Sequence, residues 1–129
     1  LNLGGIIGET STKQEFTGNS FKGVLTAVKE GTEVNVGGMT GSSTTTGPVT
    51  YSGCTVNAEI SSYQPTHSGM FNGKGNKNAA FVFGTETSPC KVVSGSELNE
   101  ALVEELTDAI LVGSALDTYT VTKTNVVIE

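Results

Sequence analysis

Short apolar runs alternate along the chain with stretches rich in glycine, threonine and serine. In "FKGVLTAVKEGTEVNV", Val24, Leu25 and Val28 precede Lys29-Glu30-Gly31-Thr32, and Val34 and Val36 then alternate with polar residues. Two strands joined by a tight glycine-containing turn fit that spacing. "GGMTGSSTTTGP", residues 37 to 48, offers little to bury and reads as a loop. Beyond it Val49 and Tyr51, then Val56, Ala58 and Ile60, share a parity within each group, with Gly53 between them as a bulge candidate. A second loop follows at "QPTHSG" and a short apolar strand at "AAFVFGTE". The end, "DTYTVTKTNVVIE", reads as a long strand that changes face between Val121 and Val126.

One segment has helical spacing. In "SGSELNEALVEELTDAILVGSAL", Leu98, Ala101, Leu102, Leu106, Ala109 and Ile110 recur at steps of three and four. Ser94 and Glu97 match a capping box, Ser96 is a second cap candidate, and Gly113 suits the stop. The opposite face carries Glu97, Glu100, Glu104, Glu105 and Asp108 without a lysine.

These elements predict a β-rich α+β domain over residues 1–129. Its expected form is an antiparallel β-sandwich or barrel of about six strands, with one amphipathic helix near residues 96–112 and a terminal strand. Residues 1–20 read as an extended arm, and no internal repeat is read from the chain.

Composition sharpens the class. Seventeen glycines, no tryptophan and only 16% charged residues favour strands and turns. The net charge is −6 and every basic residue is lysine. Without arginine forks, and with an acidic chain, a nucleic-acid partner is disfavoured. No run reaches the roughly 18 apolar residues of a membrane span.

Candidate chemistry is sparse. "GMFNGKGNKNAAFVF" resembles a phosphate loop only superficially, since its glycines miss the required intervals and lead into a strand. Asn72-Gly73 instead suits a hairpin turn, with Lys74 and Lys77 at the apex. His67 is the single histidine and stands in no recognisable catalytic setting. No metal-ligand spacing is present, and neither a metal nor a cofactor is expected. Cys54 and Cys90 are a candidate disulfide or a pair of buried thiols.

The reading that follows is a non-enzymatic structural subunit of a virion capsid, a virion decoration layer or an extracellular filament. Its partners would be copies of itself or a neighbouring structural subunit. Lys74 and Lys77, facing Glu97, Glu100, Glu104, Glu105 and Asp108 of a neighbour, are the candidate assembly contacts. The rival reading is a soluble β-rich module that binds carbohydrate or another exposed ligand, with Tyr51, Tyr63 and Phe71 as stacking candidates.

Overall fold

A computed structural model describes residues 1–28, 33–45, 47–62, 66–76, 78–115 and 119–129. Its strands pair in parallel between successive coils, forming a β-solenoid of about three turns. The first coil contains β1 (Asn2–Gly4), β2 (Ile7–Thr10), β3 (Gln14–Thr17) and β4 (Ser20–Ala27). The second contains β5 (Val34–Gly37), β6 (Thr40–Ser43), β7 (Val49–Ser52) and β8 (Thr55–Ser62). The third contains β9 (Thr66–Gly69), β10 (Asn72–Gly75), β11 (Ala80–Phe83), β12 (Cys90–Val92), β13 (Glu97–Leu98) and β14 (Ala101–Leu102). A partial further coil consists of α1 (Asp108–Val112), β15 (Ser114–Ala115), β16 (Thr120–Lys123) and β17 (Val126–Ile128).

Four sheets run along the stack: β1-β5-β9, β2-β6-β10-β15, β3-β7-β11-β16, and a fourth built on β4, β8, β12, β13 and β17. The antiparallel sandwich or barrel expected from the hydrophobic pattern is therefore replaced by a parallel solenoid. Alternation specifies that a strand is half-buried, and both arrangements satisfy it.

An internal repeat explains the topology and corrects the sequence reading. "LNLGGIIGET", "VNVGGMTGSS" and "THSGMFNGKG" occupy equivalent places in three coils, and Asn2 lies 33 positions before its register partner Asn35. Each copy keeps one glycine at the end of its first strand and another four residues later. These glycines stack at the corner between the first two sheets, where a Cβ on Gly73 would lie 2.6 Å from both the Gly41 carbonyl oxygen and the Val36 nitrogen. Any side chain there would separate the coils. Residues 37–43, expected as loop, are consequently among the most enclosed, with Met39 and Thr40 inaccessible to solvent.

The core is organised around an aromatic ladder. Register places Phe16 beside Tyr51 and Tyr51 beside Phe83. Their rings stack at 5.0 and 4.9 Å with interplanar angles of 11° and 5°. Those separations follow from the strand spacing of about 4.8 Å. Phe71 closes the ladder edge-on against Tyr51 and Phe83, at 5.4 and 5.1 Å. Each such ring pair contributes roughly 0.5–1.5 kcal/mol beyond its buried area. The Tyr51 hydroxyl is buried facing that of Thr40, and neither makes a hydrogen bond of good geometry. Burial raises the Tyr51 phenol well above its ordinary pKa, with the Thr40 hydroxyl partly offsetting it.

The long helix near 96–112 is also corrected. Only Asp108–Val112 is helical, capped by the Thr107 side chain and ended by Gly113 at φ 66°. Upstream, β13 adds to the free half of β8, pairing Glu97 with Glu59 and Leu98 with Ile60. It then turns through Asn99 and Glu100, at φ 50° and 67°, into antiparallel β14. Positive φ at both central residues marks a two-residue hairpin turn. The apolar stripe misled because its members Ala101, Leu102 and Ala109 are exposed, while Leu98, Val103, Leu111 and Val112 enter the core. Ser96 does not cap a helix; its hydroxyl accepts the Ala58 N–H at 3.2 Å, bridging the break between β12 and β13.

Asn72-Gly73 is likewise no hairpin turn. Both residues belong to β10, which lies between β6 and β15. The Asn72 amide is inaccessible, accepting from Ser43 Oγ at 2.9 Å and donating to the Val112 carbonyl at 3.4 Å. The tight turn expected at residues 29–32, together with Tyr63 and Lys77, lies outside the described residues.

The ladder and the corner generate a stability test. Tyr51→Ala is expected to cost about 3–5 kcal/mol, whereas Tyr51→Phe stays within about 1 kcal/mol of the native chain because the lost hydroxyl has no good partner. Gly73→Ala should cost more than about 3 kcal/mol through backbone overlap, against about 1 kcal/mol for Gly18→Asn at an open left-handed position. Urea unfolding of the four variants measures these differences.

Candidate functional site

The corner between the first two sheets also shapes a cleft of about 430 Å³. Asn2 and Asn35 come from β1 and β5, Ser42 and Lys74 from β6 and β10, and Thr44 and Asn76 from the segments just beyond. Val34 and Val36 turn into the core, which leaves Asn35 between them on the opposite face of the strand. Its Nδ2 donates to Asn2 Oδ1 at 2.8 Å, while its own Oδ1 has no hydrogen-bond partner.

Glu33 stands at the rim and gathers two basic side chains. Lys74 Nζ donates to Glu33 Oε1, and His67 Nε2 lies 3.0 Å from the same oxygen. The Lys74 hydrogen bond is the main reason that the Glu33 carboxyl sits below its ordinary pKa; partial burial acts in the other direction, and the charges of Lys74 and His67 add to the lowering. His67, read as an isolated loop residue, is thus a strand residue in register with Asn35. The signal available in the sequence was the shared place of Asn2, Asn35 and His67 within the repeated decads.

The remaining sequence-selected residues are dispersed. Glu97 and Glu100 belong to the β13–β14 hairpin, Glu104 and Glu105 to the exposed segment after it, and Asp108 to the first turn of α1. They share no helical face. Asp108 pairs with Lys123 of the same chain at 3.1 Å. Lys74 is engaged by Glu33, also within the chain.

Cys54 and Cys90 occupy neighbouring positions on successive coils, immediately before the Thr55 and Lys91 register pair. Both thiols are free and inaccessible to solvent. Cys54 Sγ donates to the Phe16 carbonyl at 3.3 Å and Cys90 Sγ to the Tyr51 carbonyl at 3.2 Å. The two thiols titrate as a pair: the Cys90 thiol favours ionisation of Cys54, while the same pairing together with burial disfavours that of Cys90.

Among the described residues no group of three or more His, Cys, Asp or Glu side chains is placed to hold a metal ion. No helix among them is long and apolar enough to cross a membrane. The fold and cleft define a β-solenoid with a polar lateral groove. Comparison with protein-family models, with curated proteins and with solved structures gives no match.

Two measurements follow from these clusters. A lowered carboxylate pKa contributes stability above the unfolded value, near 4.5, and loses it as pH falls through the lower folded value. Lys74→Ala should therefore cost less than about 1 kcal/mol at neutral pH, the pair being partly exposed, and the deficit should shrink as pH falls below the unfolded value and through the lower folded one. Denaturant midpoints from pH 7 to pH 3 check the sign. Cys54 and Cys90 should both resist an aromatic disulfide reagent in the native protein and react in guanidinium, in keeping with two enclosed free thiols.

Proposed function

We propose that the chain is a non-enzymatic structural module of a larger assembly, joined to further copies through the ends of its coil stack. The supporting observation is the edge of the first coil. On the side away from the second coil, β1, β2, β3 and β4 have no paired strand among the described residues. These four edges carry hydrogen-bonding groups at the spacing another coil would use. The best complement is a coil of the same kind, because the corner glycines and the ladder accept the repeat that created them.

Apolar exposure is concentrated in the same places. Leu1, Ile6, Val24 and Val28 are exposed in the first coil, and Leu102 and Val127 lie in β14 and β17 near the other end. At that far end, α1 packs against β9 and β10, with the Met70 and Phe71 N–H groups donating to the Ile110 and Leu111 carbonyls. The helix thereby covers the first sheet and leaves β16 and β17 as edges. Joining unlike ends generates a head-to-tail contact, which propagates as a filament or closes as a ring. A filament subunit or a component of a virion surface layer suits such contacts, and the acidity of the chain limits unspecific lateral association.

Light scattering and negative-stain microscopy of the native protein test the reading. Concentration-dependent rods or rings are expected, and replacing Ile6 and Val24 together by lysine should shift them towards monomer with little change in stability, since both side chains are exposed. A species that remains monomeric at every concentration, and enters no larger structure in its native setting, rejects it.

A further inference from the structure

We propose that the cleft between the first two sheets binds a neutral saccharide, laid across the coils along the stack axis. The volume of about 430 Å³ lies within the range of ligand sites. Its walls present amides and hydroxyls from Asn2, Asn35, Ser42, Thr44 and Asn76. Lys74 and Glu33 neutralise each other across the rim, and the Leu1 ammonium, also in the lining, donates to the Glu33 backbone carbonyl at 2.9 Å. An anionic ligand would meet cations that already have hydrogen-bond partners, and the chain as a whole is negative. Of the residues lining it, Leu1 alone carries an apolar side chain, which offers a lipid or an apolar peptide little to grip. Uncharged hydroxyl groups, able to donate and accept, are the chemistry that matches.

Asn35 makes the cleft more than a surface depression. The residue is only 6% exposed, and its Oδ1 is an acceptor removed from water without a donor. Such an atom carries a desolvation penalty that a ligand hydroxyl entering beside Asn2 and Asn35 relieves. The coil geometry adds a direction. Asn2, Asn35 and His67 stand in register along one side, with Glu9, Ser42 and Lys74 along the other. A linear oligosaccharide following the axis therefore meets a polar pair at each coil, at intervals of about 4.8 Å. Since no aromatic side chain lines the cleft, affinity rests on hydrogen bonds alone, and a dissociation constant of roughly 0.1–1 mM is expected.

This inference is independent of end-to-end assembly and is tested separately. The native protein is applied to an array of neutral and acidic oligosaccharides, and the best-retained neutral compound is then titrated by calorimetry. At least one neutral oligosaccharide should be retained. Asn76→Ala, which removes an amide at the rim, should weaken binding roughly tenfold. Thr44→Trp, which fills the cleft from a partly exposed position, should abolish it while the melting temperature stays within about 3 °C. Retention of no neutral compound, retention of acidic compounds alone, or binding unaffected by Thr44→Trp overturns the proposal. Light scattering on the same samples reports assembly, so failure of one reading is distinguishable from failure of the other.

Discussion

Parallel, in-register stacking at about 4.8 Å is the constraint from which the rest of this structure follows. Once one coil lies directly on the next, every position must tolerate a near-copy of itself a strand spacing away. Aromatic rings meet rings in Phe16, Tyr51 and Phe83, and thiols meet at Cys54 and Cys90. Glycines meet glycines at the corner, where Gly41 and Gly73 approach too closely for a methyl group. The ladder stabilises the stack, and the corner permits it. The same corner bends the chain so that a polar cleft forms between the first two sheets.

Where the repeat breaks down, other devices take over. Between β12 and β13 the backbone leaves the ladder around Gly95, and the Ser96 hydroxyl accepts the Ala58 N–H that a carbonyl of a continuous strand would otherwise take. Beyond the third coil, α1 stands in place of a further strand on the first sheet, yet its Ile110 and Leu111 carbonyls still receive the N–H groups of Met70 and Phe71. The aromatic ladder ends in the same region, because Lys123 occupies the register position after Phe83. A lysine cannot continue a buried stack. Its ammonium instead turns to Asp108 and to the Leu106 carbonyl, tying β16 to the start of α1.

Part of the local structure is legible in the sequence, while the topology is not. The grouping of Val49 and Tyr51, then Val56, Ala58 and Ile60, identified residues that are all buried. Gly113 as a helix stop also corresponds to a real feature of α1. What the period-two pattern lacks is any mark of which strand lies alongside, so antiparallel and parallel arrangements looked alike. The missing information was in the repeat. Its copies share glycine spacing more than side-chain identity, and Asn35 aligns with a histidine in the next coil. The long helix failed for a related reason: Leu98, Ala101 and Leu102 satisfied a helical stripe, but the unpaired half of β8 offered Leu98 a strand partner and a buried position. Tertiary pairing outweighed local periodicity. The polar cleft was illegible because its residues come together only when the coils are superimposed.

The distribution of charge and apolar surface separates the sides of the stack from its ends. Glu59 and Glu97 are register neighbours on the fourth sheet, an arrangement that disfavours pairing through like-charge repulsion. It is tolerated because Glu59 is exposed to high-dielectric solvent and Leu98 gains burial beside Ile60 in the same two-residue pairing. With a net charge of −6, flanks of this kind repel one another when two stacks approach side by side. The ends differ in kind: the first coil has open strand edges, with Leu1, Ile6 and Val28 exposed beside them and Val24 on the outer face in register with Glu59. Hydrogen bonding along an edge is short-ranged and directional, whereas repulsion between flanks is long-ranged and weakened by salt. On the end-to-end assembly proposed above, added salt should promote contact through the ends before aggregation through the sides, because the open strand edges hold the unpaired backbone that short-range contact requires.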